Sequence, residues 1–328
     1  MFCLRGLATT TIFALALGGA ACSDSDDGAD PKEDSAVVLS DGGTVATSLT
    51  CEGDCIDYVF NNLMLPVTGP QVTEFGMDFS DDGIVDNALG SIISILGQVS
   101  SSMDVQPTVD ESVWGGSALV LLRVKASDLT NQASIAAQAW LGESVECCTD
   151  PTDLVACKAE ADAGCFKGDY SYTPIPESAA LFNGAIANGT LELGPGSLQI
   201  KLPLAGDTPL DLKLKAVRIK AKITADGLME GVLAGVIDKN DLDNTVMPSL
   251  AEMLDGMLTT GTAEAQETIK GLFDINPTDG KITTEELQSN EMISTFLSGD
   301  VDVDNDGVAE LSLGIGFTGV KAVIADAQ

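Results

Sequence analysis

Two segments far apart in the chain carry the same pattern of oxygen donors. In the first, Asp78, Ser80 and Asp82 alternate, Gly83 follows and Asp86 comes three residues later; in the second, Asp302, Asp304 and Asp306 alternate, followed by Gly307 and Glu310 in the matching places. Alternation puts three oxygen side chains on one side of a short loop, glycine turns the chain back, and the later acid offers a fourth donor. Calcium takes about six to eight oxygens, so the chemistry expected here is the holding of Ca2+. A third segment has Asp274, Asn276 and Asp279 ahead of Gly280, with Glu286 beyond. Relative to the glycine, Asp274 and Asn276 fall one residue early, so this loop contains an extra residue near Pro277.

The first two segments resemble the DxDxDG calcium loops of EF-hand, dockerin and thrombospondin-type repeats. The third looks like an EF-hand, with Ile282 at the central β-bridge position and Glu286 at the twelfth. In the first two, Leu89 and Leu313 stand where an EF-hand has its bidentate Glu. The resemblance therefore implies weak sites, filled at roughly millimolar calcium or completed by oxygens from elsewhere in the chain. Each loop is short of ligands and dense in charge, so the two are expected to pack near each other and join the two ends of the fold.

These loops need elements to hold them. Residues 46–240 read as a β-rich domain. Ala118, Val120, Leu122 and Val124 alternate with more polar neighbours, as do Leu198, Ile200, Leu202 and Leu204, which is the period of a half-buried strand. In residues 209–223 the apolar phase inverts between Leu214 and Val217, which predicts a bulge at Lys215–Val217. Short strands separated by Gly and Pro suggest an antiparallel β-sandwich-like middle. Beyond residue 240 the period becomes helical: Val246, Leu250, Met253, Leu254, Met257 and Leu258 form one stripe. Further helices are predicted over 263–273 and 285–298, on either side of the third loop. The fold class expected is mixed β and α, with a C-terminal EF-hand-like helical region and the second DxDxDG loop in residues 241–328.

The N-terminus reads as a secretory signal over residues 1–21, with Arg5 ahead of an apolar run too short to span a bilayer. Gly19, Ala20 and Ala21 before Cys22 resemble the lipobox of bacterial lipoproteins, with Gly19 where Leu is usual. The resemblance implies that Cys22 is the lipid anchor, the alternative being an ordinary signal cleaved nearby. Residues 22–45 read as an acidic tether. The protein is then expected to be exported and held by lipid at the outer membrane or cell surface.

In such an oxidising compartment the six later cysteines are expected to pair. Cys51 would join Cys55, while Cys147 and Cys148 would reach Cys157 and Cys165 in one order or the other; a zinc site on the last four is the rival reading. With 16 basic and 50 acidic residues and a formal charge of −34, the chain repels nucleic acid and anionic membranes. It has no histidine, which excludes Ser-His and Cys-His nucleophiles. The function expected is a calcium-binding surface module, its partner a glycan or a protein. The alternatives are a carboxylate-dependent hydrolase or a purely structural envelope lipoprotein. Lys201, Lys213, Lys215, Arg218, Lys220 and Lys222, six of the 16 basic residues, read either as a docking stripe or as the solvent face of a sheet.

Overall fold

Alternation in residues 210–223 turns Leu210, Leu212 and Leu214 into the core and leaves Asp211, Lys213 and Lys215 exposed. The computed structural model describes residues 49–99, 105–203, 210–275 and 277–325. Cys22, the tether and Asn276 lie outside them.

The strands in chain order are β1 (Cys55–Met64), β2 (Val120–Lys125), β3 (Asn131–Leu141), β4 (Ser171–Tyr172), β5 (Ala180–Ala187), β6 (Thr190–Leu202), β7 (Leu210–Ile223), β8 (Gly227–Ile237), β9 (Leu311–Lys321) and β10 (Val323–Ile324). Eight of them close into a barrel, β1-β2-β3-β5-β6-β7-β8-β9, with β9 antiparallel to both β8 and β1; β4 and β10 form a separate parallel pair. This corrects the expected β-sandwich. Period-2 alternation looks the same on the inner face of a sandwich and of a barrel. What distinguishes them is β9, which returns from the far end of the chain to complete the cylinder.

The helices are α1 (Gly69–Phe75), α2 (Ala88–Val99), α3 (Gln106–Gly115), α4 (Leu154–Ala163), α5 (Lys239–Asp241), α6 (Met247–Thr260), α7 (Ala263–Phe273), α8 (Thr284–Ser289) and α9 (Glu291–Phe296), with a π-turn at Leu242–Val246 between α5 and α6. The C-terminal part is accordingly not an EF-hand-like helical region of its own. Helices α5 to α9 are an excursion between two neighbouring barrel strands, and Val45–Gln328 is one compact unit in which residue 240 lies just after β8. The helix expected over 285–298 is broken at Asn290. Its side chain accepts from Ile293 N at the start of α9 and donates to Leu272 O of α7, a local alternative that stops α8.

The predicted bulge lies in β7. Leu214 and Val217 face Leu198 and Gly196 of β6, and Lys215 and Arg218 face Val236 and Ala234 of β8, so β7 has one extra residue against both neighbours. Ala216 takes it up at φ 48°. The polar face thereby stays outward on both halves of the strand.

Strand β9 is buried on both sides. Leu311, Leu313, Ile315 and Phe317 point into the barrel, where Phe317 stacks on Phe60 at 4.0 Å. Outward, a Cβ on Gly316 would enter the Phe75 ring and one on Gly314 would meet the Phe75 carbonyl. The two glycines thus form the seat on which α1 rests.

Three disulfides join Cys51 to Cys55, Cys147 to Cys165 and Cys148 to Cys157. The adjacent cysteines diverge, as expected, and the four thiols of the rival zinc reading are consumed.

Candidate metal centre

The twin loops have the same backbone. Each is pinched at its base by an antiparallel bridge, Met77 to Asp86 in the first and Val301 to Glu310 in the second. Asp78 accepts from the N–H groups of Asp82 and Gly83 at 3.3 and 2.8 Å, and Asp302 accepts from those of Asp306 and Gly307 at 3.1 and 3.0 Å. Asp82 and Asp306 each take the amide two residues on, at 2.7 Å. Gly83 and Gly307 sit at φ 84° and 87°, where a side chain would be strained.

Within this frame Asp302, Asp304 and Asp306 each bring one carboxylate oxygen within 4.8 Å of the others, all three exposed to solvent. In the first loop Ser80 replaces the middle acid, and its hydroxyl lies 3.5 Å from Asp78 Oδ1. Asp86 and Glu310, expected as ligands, each have one oxygen on a backbone amide of their own loop. Asp86 Oδ2 accepts from Phe79 N at 2.7 Å and Glu310 Oε2 from Val303 N at 3.1 Å, so each closes its loop. Burial pushes the Asp86 carboxyl above its usual range; the Phe79 N–H opposes this, and the charge of nearby Asp300 adds to it.

The loops sit side by side over β8. Phe79 from the first and Val301 and Val303 from the second share an apolar cluster with Ala234 and Val236 of β8 and Ala216 of the β7 bulge. Arg218, just past the bulge, donates to Asp78 O at 2.9 Å, and its guanidinium lies 5.1 Å from the Phe79 ring centroid. Asp300 accepts from Ser312 N and Oγ, and Ser312 Oγ accepts from Ala88 N at 2.8 Å.

The third loop repeats the pattern despite its extra residue. Asp274 accepts from Asp279 N and Gly280 N at 3.0 and 2.9 Å, and Asp279 Oδ1 takes Lys281 N at 3.1 Å. Asp274 therefore does for this loop what Asp78 and Asp302 do for theirs. Glu286 is 2% exposed. Its Oε2 accepts from Thr283 N and Oγ1, while Oε1 has no hydrogen-bond partner. A buried carboxylate oxygen without a partner is costly, and a cation at this oxygen would relieve that cost. Among the described residues, the acids of this loop do not converge as closely as the Asp302 triad.

Sequence reasoning missed Asp255, Asn87, Asp300 and Ser312, and gave Arg218 no part in the loops. The signal for one of them was a polar residue in an otherwise apolar run, Ser312 in β9. The aromatic residues on which a sugar could stack are turned to other uses. Trp140, Tyr58 and Tyr172 are buried, and Trp114 Nε1 donates to Asn61 O and Asn62 Oδ1 at 3.2 Å.

Comparison of the chain with protein-family models, curated proteins and solved structures gave no match.

Proposed function

We propose that the chain is a calcium-binding, lipid-anchored protein of the cell envelope, in which calcium has a structural role and the barrel serves as a binding or adhesion module rather than an enzyme. The observation that carries this reading is the Asp302, Asp304 and Asp306 triad. Carboxylates this close repel by on the order of 1 kcal/mol per pair in a water-like dielectric, and one divalent cation turns that repulsion into attraction. The donor chemistry favours a hard ion. With no histidine in the chain and the six cysteines of the described residues in disulfides, oxygen is the donor these loops offer, which suits calcium better than zinc or copper.

Anchoring rests on Gly19, Ala20 and Ala21 before Cys22. The barrel is consistent with it: its alternating strands put leucines inward and lysines outward, the reverse of a barrel that faces lipid. Two of the six residues of the basic stripe are also paired at home, Lys220 with Glu192 and Lys215 with Asp238. That favours the solvent-face reading of these residues over a docking stripe.

The test is calorimetric titration of residues 23–328 with calcium chloride, with magnesium as competitor. Saturable binding that Asp302→Ala weakens supports the proposal; absence of binding heat at millimolar calcium refutes it.

A further inference from the structure

Five consecutive backbone N–H groups of the third loop end on carboxylates. Asp279 and Gly280 donate to Asp274, Lys281 donates to Asp279 and Thr283 donates to Glu286. The remaining one, from Ile282, donates to Asp255 Oδ1 at 3.0 Å. Asp255 stands in α6, 27 residues away, and is the one carboxylate of the set that comes from outside the loop. The Ile282 side chain is buried in the same core as Leu254 and Leu258 of α6, Ile269 and Phe273 of α7 and Leu287 of α8. Loop and helix are thus joined by a charged hydrogen bond, and both send side chains into one core.

Ile282 lies between the acids that begin the loop, Asp274 and Asp279, and the acid that ends it, Glu286. The two ends can face a common ion only if the backbone between them is held at one height. In addition, Glu286 Oε1 is buried and has no hydrogen-bond partner, so the loop carries an oxygen that a cation would satisfy. We propose that Asp255 is the positioning residue of this loop: by holding Ile282 it sets Asp274, Asp279 and Glu286 toward one divalent cation, and it couples filling of the loop to the packing of α6 against α7 and α8. This rests on the calcium reading above and extends it to a residue outside every loop.

Partners that orient ligands typically cost roughly 10- to 100-fold in metal affinity when removed. The experiment is calcium titration of residues 23–328 by calorimetry in the parent chain and in Glu286→Gln, Asp255→Ala and Asp255→Asn, with the Ile282 amide followed by NMR after 15N-isoleucine labelling. Glu286→Gln should abolish one binding event and leave those of the Asp78 and Asp302 loops. Asp255→Ala should weaken that same event by roughly 10-fold or more. Asp255→Asn, which keeps an acceptor oxygen, should weaken it less. The Ile282 amide should shift on calcium addition in the parent and in Asp255→Asn.

Unchanged calcium affinity in Asp255→Ala overturns the proposal, as does a melting temperature lowered equally with and without calcium, which marks a merely structural residue. A parent chain that takes no calcium at any loop defeats the calcium reading and this inference together; a parent chain that binds calcium but loses no binding event in Glu286→Gln defeats only the inference.

Discussion

The carboxamide of Asn87 is hydrogen-bonded in both directions to the backbone of Gly314, accepting from its N–H at 2.9 Å and donating to its carbonyl at 3.1 Å. The residue that ends the first loop thus behaves as a strand partner of β9, which follows the second. Asn87 is 3% exposed and also donates to Val72 O, between α1 and this seam. One side chain ties the end of the first loop to the first helix pair and to the barrel's closing strand.

Asn87→Ala should therefore be among the more damaging polar substitutions in this region. It leaves buried backbone groups of Gly314 unsatisfied, at about 1–3 kcal/mol each. Urea unfolding should show a lower midpoint with little change in slope. A midpoint within error of the parent would mean that the seam is held by apolar contacts alone.

Helix α7 invites a change of opposite sign. Gly271 lies in it, exposed, with open space where a Cβ would go. Gly271→Ala should raise stability by about 0.5–1 kcal/mol, because alanine loses less backbone entropy in a helix. If the thermal midpoint falls instead, residues 263–273 are not a stable helix in solution.

What the sequence revealed, and what it hid, follows from the range of the interactions. The Lys215–Val217 bulge, α7 and the twin loops were legible because each is written in a few adjacent residues. The disulfide pairing of Cys147 and Cys148 away from each other was legible because neighbours are poorly placed to bond. Barrel closure was not, since it depends on β9 meeting β1 across most of the chain, and no local period records that. The backbone contacts of Asp86 and Glu310 were hidden for a related reason. As acids in a cation loop they read as ligands, and the fold also sets one oxygen of each on a backbone amide, of Phe79 and of Val303. Asp255 was invisible because a helical aspartate is ordinarily solvated, and only the folded chain brings it to Ile282.

Membrane attachment has its own test. Cys22→Ser should move the protein from the membrane fraction to the soluble one, since a diacylated cysteine is the anchor the sequence offers. Tight association that survives the substitution would refute lipid anchoring while leaving the calcium sites untouched.

The central claim is that the twin loops are structural calcium sites, and the most direct measurement is the melting temperature of residues 23–328 with and without millimolar calcium. At about 100 times its dissociation constant, calcium adds about 2.7 kcal/mol per independent site, which should raise the midpoint by several degrees. Asp306→Ala should remove much of that rise, and Asp30→Ala, in the tether, none of it. A midpoint that calcium leaves unchanged, or two variants that respond alike, would contradict the account.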